Sequence, residues 1–176
     1  TVDPETIAEN HRSIEHKLAA LRFFDLRFNA PTVAGILLFA NNPRHFLPLA
    51  YIQFLRFRGT GMSEIPINQT EISGDLRSVL EQVRIRTVSN IKTAMARSEG
   101  FKERLIPDYP EWAIRELIHN AIIHRDYASH TPIRFYWFDD HIEIQSPGGL
   151  YGNVTPETLT WQNGYRNPII AEACKV

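Results

Sequence analysis

Apolar and polar residues recur with the period of an α-helix across residues 111–127. Prolines at positions 107 and 110 precede this stretch, and Glu111 lies in its first turn, where the helix dipole favours a negative charge. At about 100° per residue, one half of the helical circumference is apolar. The apolar positions are Ala113, Ile114, Leu117, Ile118, Ala121 and Ile122. The pattern therefore predicts a helix over residues 110–124 with that half buried.

Two polar side chains of chemical interest lie on this predicted helix. Glu116 and Asn120 are four residues apart, so they are neighbours on one helical face. The wheel places them at the border of the apolar half, beside Ala113 and Leu117. A carboxylate and a carboxamide at that border are well placed to meet a ligand lying against the core.

The rest of the chain alternates between helical and strand patterns. Helical spacing predicts long helices over residues 3–28 and 75–97, and short ones beginning at Thr155 and Asn167, each followed by a proline. Alternation with period two predicts strands over residues 50–58 and 65–72, and a hairpin of residues 131–138 and 141–145 that turns at Asp139-Asp140. Residues 32–39 are strongly apolar, and their pattern alone does not separate a helix from a buried strand.

The helix and the hairpin together carry a family resemblance. The run Glu116-x-x-x-Asn120-Ala-x-x-His-Arg-Asp-Tyr, followed by Ile142-Glu-Ile-x-Ser-Pro-Gly-Gly-Leu, resembles a divergent member of the GHKL ATP-binding fold. It is similar to the domain called "RecG-like C-terminal", which occurs in bacterial regulators behind an AlbA/Schlafen-type domain and before a winged helix. Residues 31–39, 52–59 and 166–172 match the same family, so the resemblance extends from Pro31 to the end of the chain.

This resemblance implies a fold and a domain division. The expected fold is an α/β (α+β) two-layer sandwich: a mixed, mainly antiparallel sheet with helices packed on one face. Residues 31–176 would form the GHKL-like domain, ending before a winged helix, and residues 1–30 would form a helical linker segment. The resemblance also favours a helix for residues 32–39.

The resemblance further implies a Mg-ATP site. By analogy Asn120 holds Mg²⁺ and phosphate oxygens, and Glu116 is the catalytic base that activates water. Both supply hard oxygen atoms, which suit Mg²⁺. Gly148 and Gly149 occupy the place of the family's glycine loop, where backbone amides approach a ligand closely. Arg125 either reaches a phosphate or, with its neighbour Asp126, fixes the loop that leaves the helix.

Two departures from the family pattern limit this expectation. Ser146 stands where better-known GHKL proteins have the aspartate that accepts the adenine amino group, although a serine hydroxyl is also an acceptor. The glycine-rich lid over the phosphates is not recognisable. The expected function is thus an ATP-binding regulatory module of a bacterial transcriptional regulator, with slow or absent hydrolysis. The alternative is a non-catalytic scaffold or dimerisation module with a vestigial cleft, which positions DNA-binding neighbours.

Composition narrows the partners and the compartment. The 176 residues carry a net charge of -1, so DNA is expected to contact neighbouring domains or, as a minority hypothesis, the arginine-bearing helix 75–97. A single cysteine at position 174 fits a reducing, cytoplasmic compartment. No apolar run approaches the roughly 20 residues of a membrane span. The oligomeric state is left open, a homo-oligomer included.

Three other motifs were weighed and rejected. His124-Arg125-Asp126 is not a kinase catalytic loop, because Thr131 stands where the loop's asparagine belongs. Gly59-Thr60-Gly61 is not a phosphate loop, because no Gly-Lys-Ser/Thr follows it, and with no Walker A motif a helicase is not expected. A metal site of His119, His124 and His130 is not expected, because His119 and His124 are five residues apart, about 140° around a helix, and so do not share a metal-binding face.

Overall fold

A computed structural model describes residues 12–62, 65–97, 103–158, 161 and 164–174. The helices in those ranges are α1 (Ile14–Ala20), α2 (Val33–Phe39), α3 (Leu76–Asn90), α4 (Glu111–Ile123) and α5 (Pro168–Ala173), with a 3₁₀ turn at Pro43–His45. The strands are β1 (Phe24–Asp25), β2 (Ala30–Pro31), β3 (Ile52–Arg56), β4 (Asn68–Ile72), β5 (Thr93–Arg97), β6 (Glu103–Pro107), β7 (Ile133–Trp137) and β8 (Ile142–Gln145). No helix in the described part of the chain is long and apolar enough to cross a membrane.

The main sheet has four strands in the order β4-β3-β7-β8. The central pair β3 and β7 runs parallel, with Phe54 opposite Phe135, and both outer pairings are antiparallel. Two small hairpins, β1–β2 and β5–β6, stand apart from it. The predicted fold class is confirmed: the sheet is mixed, mainly antiparallel, and combined with helices.

The core lies between one face of this sheet and the helices. Alternate residues of the two central strands point inward, and Ile52, Phe54, Ile133 and Phe135 are at most 2% exposed. Helices α2 to α5 all contribute to the same cluster. Their buried members are Ala34 and Leu37, then Leu76, Val79 and Val83, then Ile114, Ile118, Ala121 and Ile122, and finally Ile170. Burial of this apolar surface is the main force that fixes α4 against the sheet.

Helix α2 shows that the ambiguous apolar run is a helix, as the resemblance favoured. Thr32 caps it by accepting a hydrogen bond from the backbone N–H of Gly35. Gly35 leaves no room for a side chain, because a Cβ there would lie 2.1 Å from the carbonyl oxygen of Phe23. The glycine thus lets α2 pack directly against the backbone just before β1.

The predicted helix over residues 75–97 is too long. Helix α3 begins at its N-cap Asp75 as expected but ends at Asn90, because Ile91 takes an extended conformation with ψ 126°. Residues Thr93–Arg97 then form β5, which pairs antiparallel with β6. Apolar spacing continues through Met95, but that side chain is 73% exposed. The predicted end of this helix was wrong because the prediction rested on apolar periodicity alone.

Two other predicted helices also differ from the structure. Helix α1 ends at Ala20, and Arg22, with φ 62°, reverses the chain so that β1 pairs with β2 where the helix was expected to continue to residue 28. Residues 3–11 of that prediction lie outside the described residues. After Thr155 the described chain forms a turn and no helix. Helix α5 begins with Pro168 after Asn167, as predicted.

Candidate functional site

Helix α4 carries the predicted site and has nearly the predicted bounds. Pro110 precedes it, Glu111 lies in its first turn, and His124 is its C-cap. Ile114 and Ile118 bury its inner side at 3% and 1% exposure. Leu117 was predicted to be buried but is 52% exposed, because only the narrower stripe that meets the sheet is covered.

Glu116 and Asn120 lie next to each other on an exposed surface of α4. The Asn120 amide Nδ2 donates a hydrogen bond to Glu116 Oε1 at 3.3 Å. Both project about 160° around the helix from Ile118, at 100° per residue. They are therefore farther from the core than the helical wheel predicted. The side-chain oxygen of Asn120, Oδ1, accepts no hydrogen bond from the described residues, so this atom is available to a ligand.

Ser146 joins the glycine loop (residues 146–149) to α4 by a hydrogen bond. Its Oγ donates to the carbonyl oxygen of Ala121 at 2.7 Å, one residue beyond Asn120. Ala121 lies close to the end of the helix, where carbonyl groups run out of helical partners. With its proton donated to the helix, the Ser146 hydroxyl oxygen faces any ligand as an acceptor only.

The next residues of the loop pack on the turn that follows α4. The backbone N–H of Asp126 donates to Pro147 O at 2.7 Å. Gly148 has φ 119°, and a Cβ there would lie 3.3 Å from the backbone N and the Cβ of Asp126. Gly148 is thus required by the fold. A Cβ at Gly149 would meet nothing within 4 Å, so the space beside Gly149 is open to a ligand.

Arg125 lies inside the protein. It is 2% exposed, and its Nη2 donates to the carbonyl oxygens of Leu49 at 2.7 Å and Thr131 at 2.9 Å. Burial lowers the pKa of its guanidinium, and the Coulombic influence of Tyr127 and Asp126 partly offsets that effect. This geometry supports the structural role considered for Arg125 and leaves its guanidinium facing away from a solvent-side phosphate.

Arg166 is a basic residue at this site that the sequence analysis did not single out. Its Nη2 donates to Gly149 O at 3.1 Å, its Nη1 lies 3.9 Å from an Asp126 carboxylate oxygen, and its guanidinium lies 4.8 Å from the Tyr151 ring centre. The adjacent Asn167 Nδ2 ties this segment to α4 by donating to Ile123 O at 2.8 Å and to the carbonyl of Arg125 at 2.7 Å. The available signal was the match of residues 166–172 to the family, which includes Arg166.

The donor set at this site fits Mg²⁺ bound mainly through a nucleotide. Mg²⁺ keeps several waters and is held by one or two protein oxygens together with substrate phosphates. Asn120 and Glu116 supply such oxygens, and Asn120 Oδ1 is without a partner among the described residues. The described part of the chain contains no group of three or more His, Cys, Asp or Glu side chains placed to hold a metal by themselves.

Comparison with protein families gives one match. Residues 130–176 match the family described as "Putative ATP-dependent DNA helicase recG C-terminal". The match supports the predicted family. It covers Ser146, Gly148, Gly149 and Arg166, and it begins after α4, so it does not include Glu116 or Asn120. An ATPase-like family points to a nucleotide-binding module.

Comparison with solved structures gives a relative of similar fold. The chain superposes on the crystal structure of the DIP2311 protein from Corynebacterium diphtheriae with a TM-score of 0.70 and 26% sequence identity. The alignment covers 98% of this chain and 34% of that chain, so this chain spans about a third of the length of that relative. No curated protein matches the sequence.

Proposed function

We propose that this chain is an ATP-binding regulatory module in which Mg-ATP binds between Glu116 and Asn120 on α4 and the Gly148-Gly149 loop. The observation that carries the proposal is the hydrogen bond from Ser146 Oγ to Ala121 O, because it joins the glycine loop to the helix one residue after Asn120. The family match over residues 130–176 adds independent support.

Each side chain has a distinct role in the proposed site. The Asn120 oxygen binds Mg²⁺, and the cation carries the phosphates. Gly149 lets the backbone approach the nucleotide, and the Ser146 oxygen accepts a hydrogen bond from the base. Arg166, held beside Gly149, supplies positive charge to a phosphate. Arg125 holds the segment that leaves α4 by donating to the carbonyl oxygens of Leu49 and Thr131.

Glu116 would orient or deprotonate the attacking water if hydrolysis occurs. Its carboxylate accepts a hydrogen bond from Asn120 and lies on an exposed surface, where water competes with ordered positioning. We therefore propose hydrolysis that is slow or absent. The regulatory role, in a bacterial transcriptional regulator whose neighbouring domains contact DNA, is part of the same proposal.

Calorimetry and thermal shift with ATP, with and without Mg²⁺, test nucleotide binding. Nucleotide at 100 times its dissociation constant should stabilise the folded chain by about 2.7 kcal/mol, which raises the melting temperature by several degrees at this size. Asn120→Ala should abolish the Mg²⁺-dependent part. Asn41→Ala, at an exposed position in the loop after α2, is the matched control and should bind like the parent chain. Equal loss in both variants would contradict the proposed role of Asn120.

A scaffold or dimerisation function is the second candidate, and one observation favours it. The β5–β6 hairpin exposes Met95 at 73%, Leu105 at 62% and Ile106 at 49%. Exposed apolar side chains grouped on one hairpin are typical of protein interfaces. Light scattering after size-exclusion chromatography should then show a dimer that Leu105→Lys converts to a monomer. A monomeric parent chain that binds Mg-ATP would contradict this candidate.

A further inference from the structure

A groove lies between α3 and α4, and the end of α5 closes one part of it. Its volume is about 620 Å³, within the range of roughly 300–1,000 Å³ typical of small-molecule sites. Ile114 and Ile118 line it, whereas Glu116 and Asn120 project about 160° around α4 from Ile118. The groove is thus distinct from the proposed nucleotide site.

The walls of the groove are apolar. Leu80 and Val83 come from α3, Ile114 and Ile118 from α4, and Leu38 from the end of α2. These side chains belong to, or pack against, the main core, so the groove opens directly onto it. Such a surface binds a hydrocarbon or aromatic body, because desolvation of both partners is favourable.

One buried polar group faces this apolar lining without a partner. Thr87 lines the groove and is 2% exposed, and its hydroxyl makes no hydrogen bond with the described residues. A buried hydroxyl without a partner destabilises the folded chain relative to a satisfied one. A ligand that brings only hydrocarbon to that depth leaves the Thr87 hydroxyl without a partner.

The rim of the groove carries two arginines that have no ion pair among the described residues. Arg77 projects from α3 and Arg115 from α4, and both are exposed. The third rim arginine, Arg84, is held by Glu81 at 2.8 Å and lies 4.0 Å from a Glu111 oxygen. The rim therefore keeps a net positive charge that favours an anion over a cation.

We propose that the α3–α4 groove is a second ligand site, which takes an amphipathic monoanion: an apolar chain or ring system carrying one carboxylate or sulfonate. The apolar body fills the space between Leu80 and Ile118, and the acidic group meets Arg77 and Arg115 at the rim. We expect one negative charge on the ligand and no more, because Glu81 and Glu111 at the rim repel a second one.

Calorimetry with dodecanoate, kept below its micelle concentration, tests the proposal. One molecule should bind per chain, and dodecyltrimethylammonium, which has a similar tail but a positive head group, should bind at least tenfold more weakly. Arg115→Glu should weaken dodecanoate binding about tenfold or more, the loss expected for one charge-assisted contact. Arg58→Glu makes the same charge change at an exposed position outside the groove and should leave the affinity unchanged.

Two further results complete the test. Thr87→Val removes the buried hydroxyl at nearly constant volume, so the melting temperature should stay equal or rise. Dodecanoate should bind this variant more tightly, because its hydrocarbon tail offers the Thr87 hydroxyl no partner, whereas Ser89→Ala on the exposed side of α3 should leave its affinity unchanged. Equal affinity for the anionic and cationic detergents, or equal loss in Arg115→Glu and Arg58→Glu, would overturn the proposal. Absence of binding by dodecanoate at millimolar concentration would overturn it as well. Nucleotide binding is measured separately, so these outcomes leave the proposed function untouched.

Discussion

The hydrogen bond between Ser146 and Ala121 is the contact on which the site depends, and Ser146→Ala removes it. The Oγ–O distance is 2.7 Å and Ser146 is half-buried, so the bond is well formed and partly protected from water. A hydrogen bond of this kind contributes about 0.5–1.5 kcal/mol net, and a carbonyl left without its donor adds to the loss. We expect the free energy of unfolding to fall by about 1 kcal/mol. At this chain length that lowers the melting temperature by about 2–4 °C.

Urea denaturation followed by circular dichroism measures this change directly. Ser89→Ala is the matched control, because its hydroxyl also donates to a backbone carbonyl, that of Arg86, at 2.8 Å but on an exposed helix surface. Its effect should stay within about 0.5 kcal/mol. Equal effects of the two substitutions would refute the claim that Ser146 fastens the loop.

A second prediction concerns Ser146→Asp, which introduces a carboxylate where Ser146 donates its hydrogen bond. An ionised carboxylate has no proton to donate to Ala121 O, so the two oxygens would repel. The variant should be less stable than Ser146→Ala, and its stability should rise as pH falls towards the carboxyl pKa. A variant as stable as the parent chain at pH 7 would show that the loop adapts freely.

Three further perturbations test the surrounding structure. Gly148→Ala should cost about 1–3 kcal/mol in urea denaturation, because the position has φ 119° and a Cβ would press on Asp126, whereas Gly149→Ala should be nearly neutral for stability. Asp75→Ala should cost about 1 kcal/mol because Asp75 caps α3, and Asp75→Asn much less. The hydrogen bond from the Ser78 backbone lowers the pKa of Asp75. Ionised Asp75 therefore stabilises the fold above its unfolded-state pKa of about 3.9, and this stabilisation is lost as pH falls through the lower folded-state pKa. In Asp75→Asn the free energy of unfolding should depend less on pH in that acidic range. Arg125→Met should cost about 2–3 kcal/mol, because two partly buried carbonyl groups lose a charged donor. A loss no larger than that of Arg58→Met would contradict the structural role.

The elements that sequence predicted well are those with strong local signals. Helix α4 has an apolar stripe bounded by Pro110, and the β7–β8 hairpin has period-two alternation around the Asp139-Asp140 turn. Both signals lie within a short stretch, so local physics decides the outcome. The end of α3 is different. Residues after Asn90 leave the helix to pair with β6, and a pairing partner ten residues away leaves no mark on helical periodicity.

The site was only partly predictable for the same reason. Glu116 and Asn120 were found because they share one helix. The role of Ser146 as a fastener depends on Ala121, 25 residues earlier, and the position of Arg166 depends on Gly149, 17 residues earlier. Those contacts follow from how the hairpin and the end of the chain return to α4. Only the folded backbone reveals that return.

Amide chemical-shift mapping by NMR during titration with Mg-ATP tests the location of the nucleotide most directly. The account predicts that the largest shifts fall at Asn120, Gly148 and Gly149, that they require Mg²⁺, and that Asn120→Ala removes the Mg²⁺ dependence. Shifts confined to the α3–α4 groove, or none at saturating nucleotide, would contradict binding between α4 and the glycine loop.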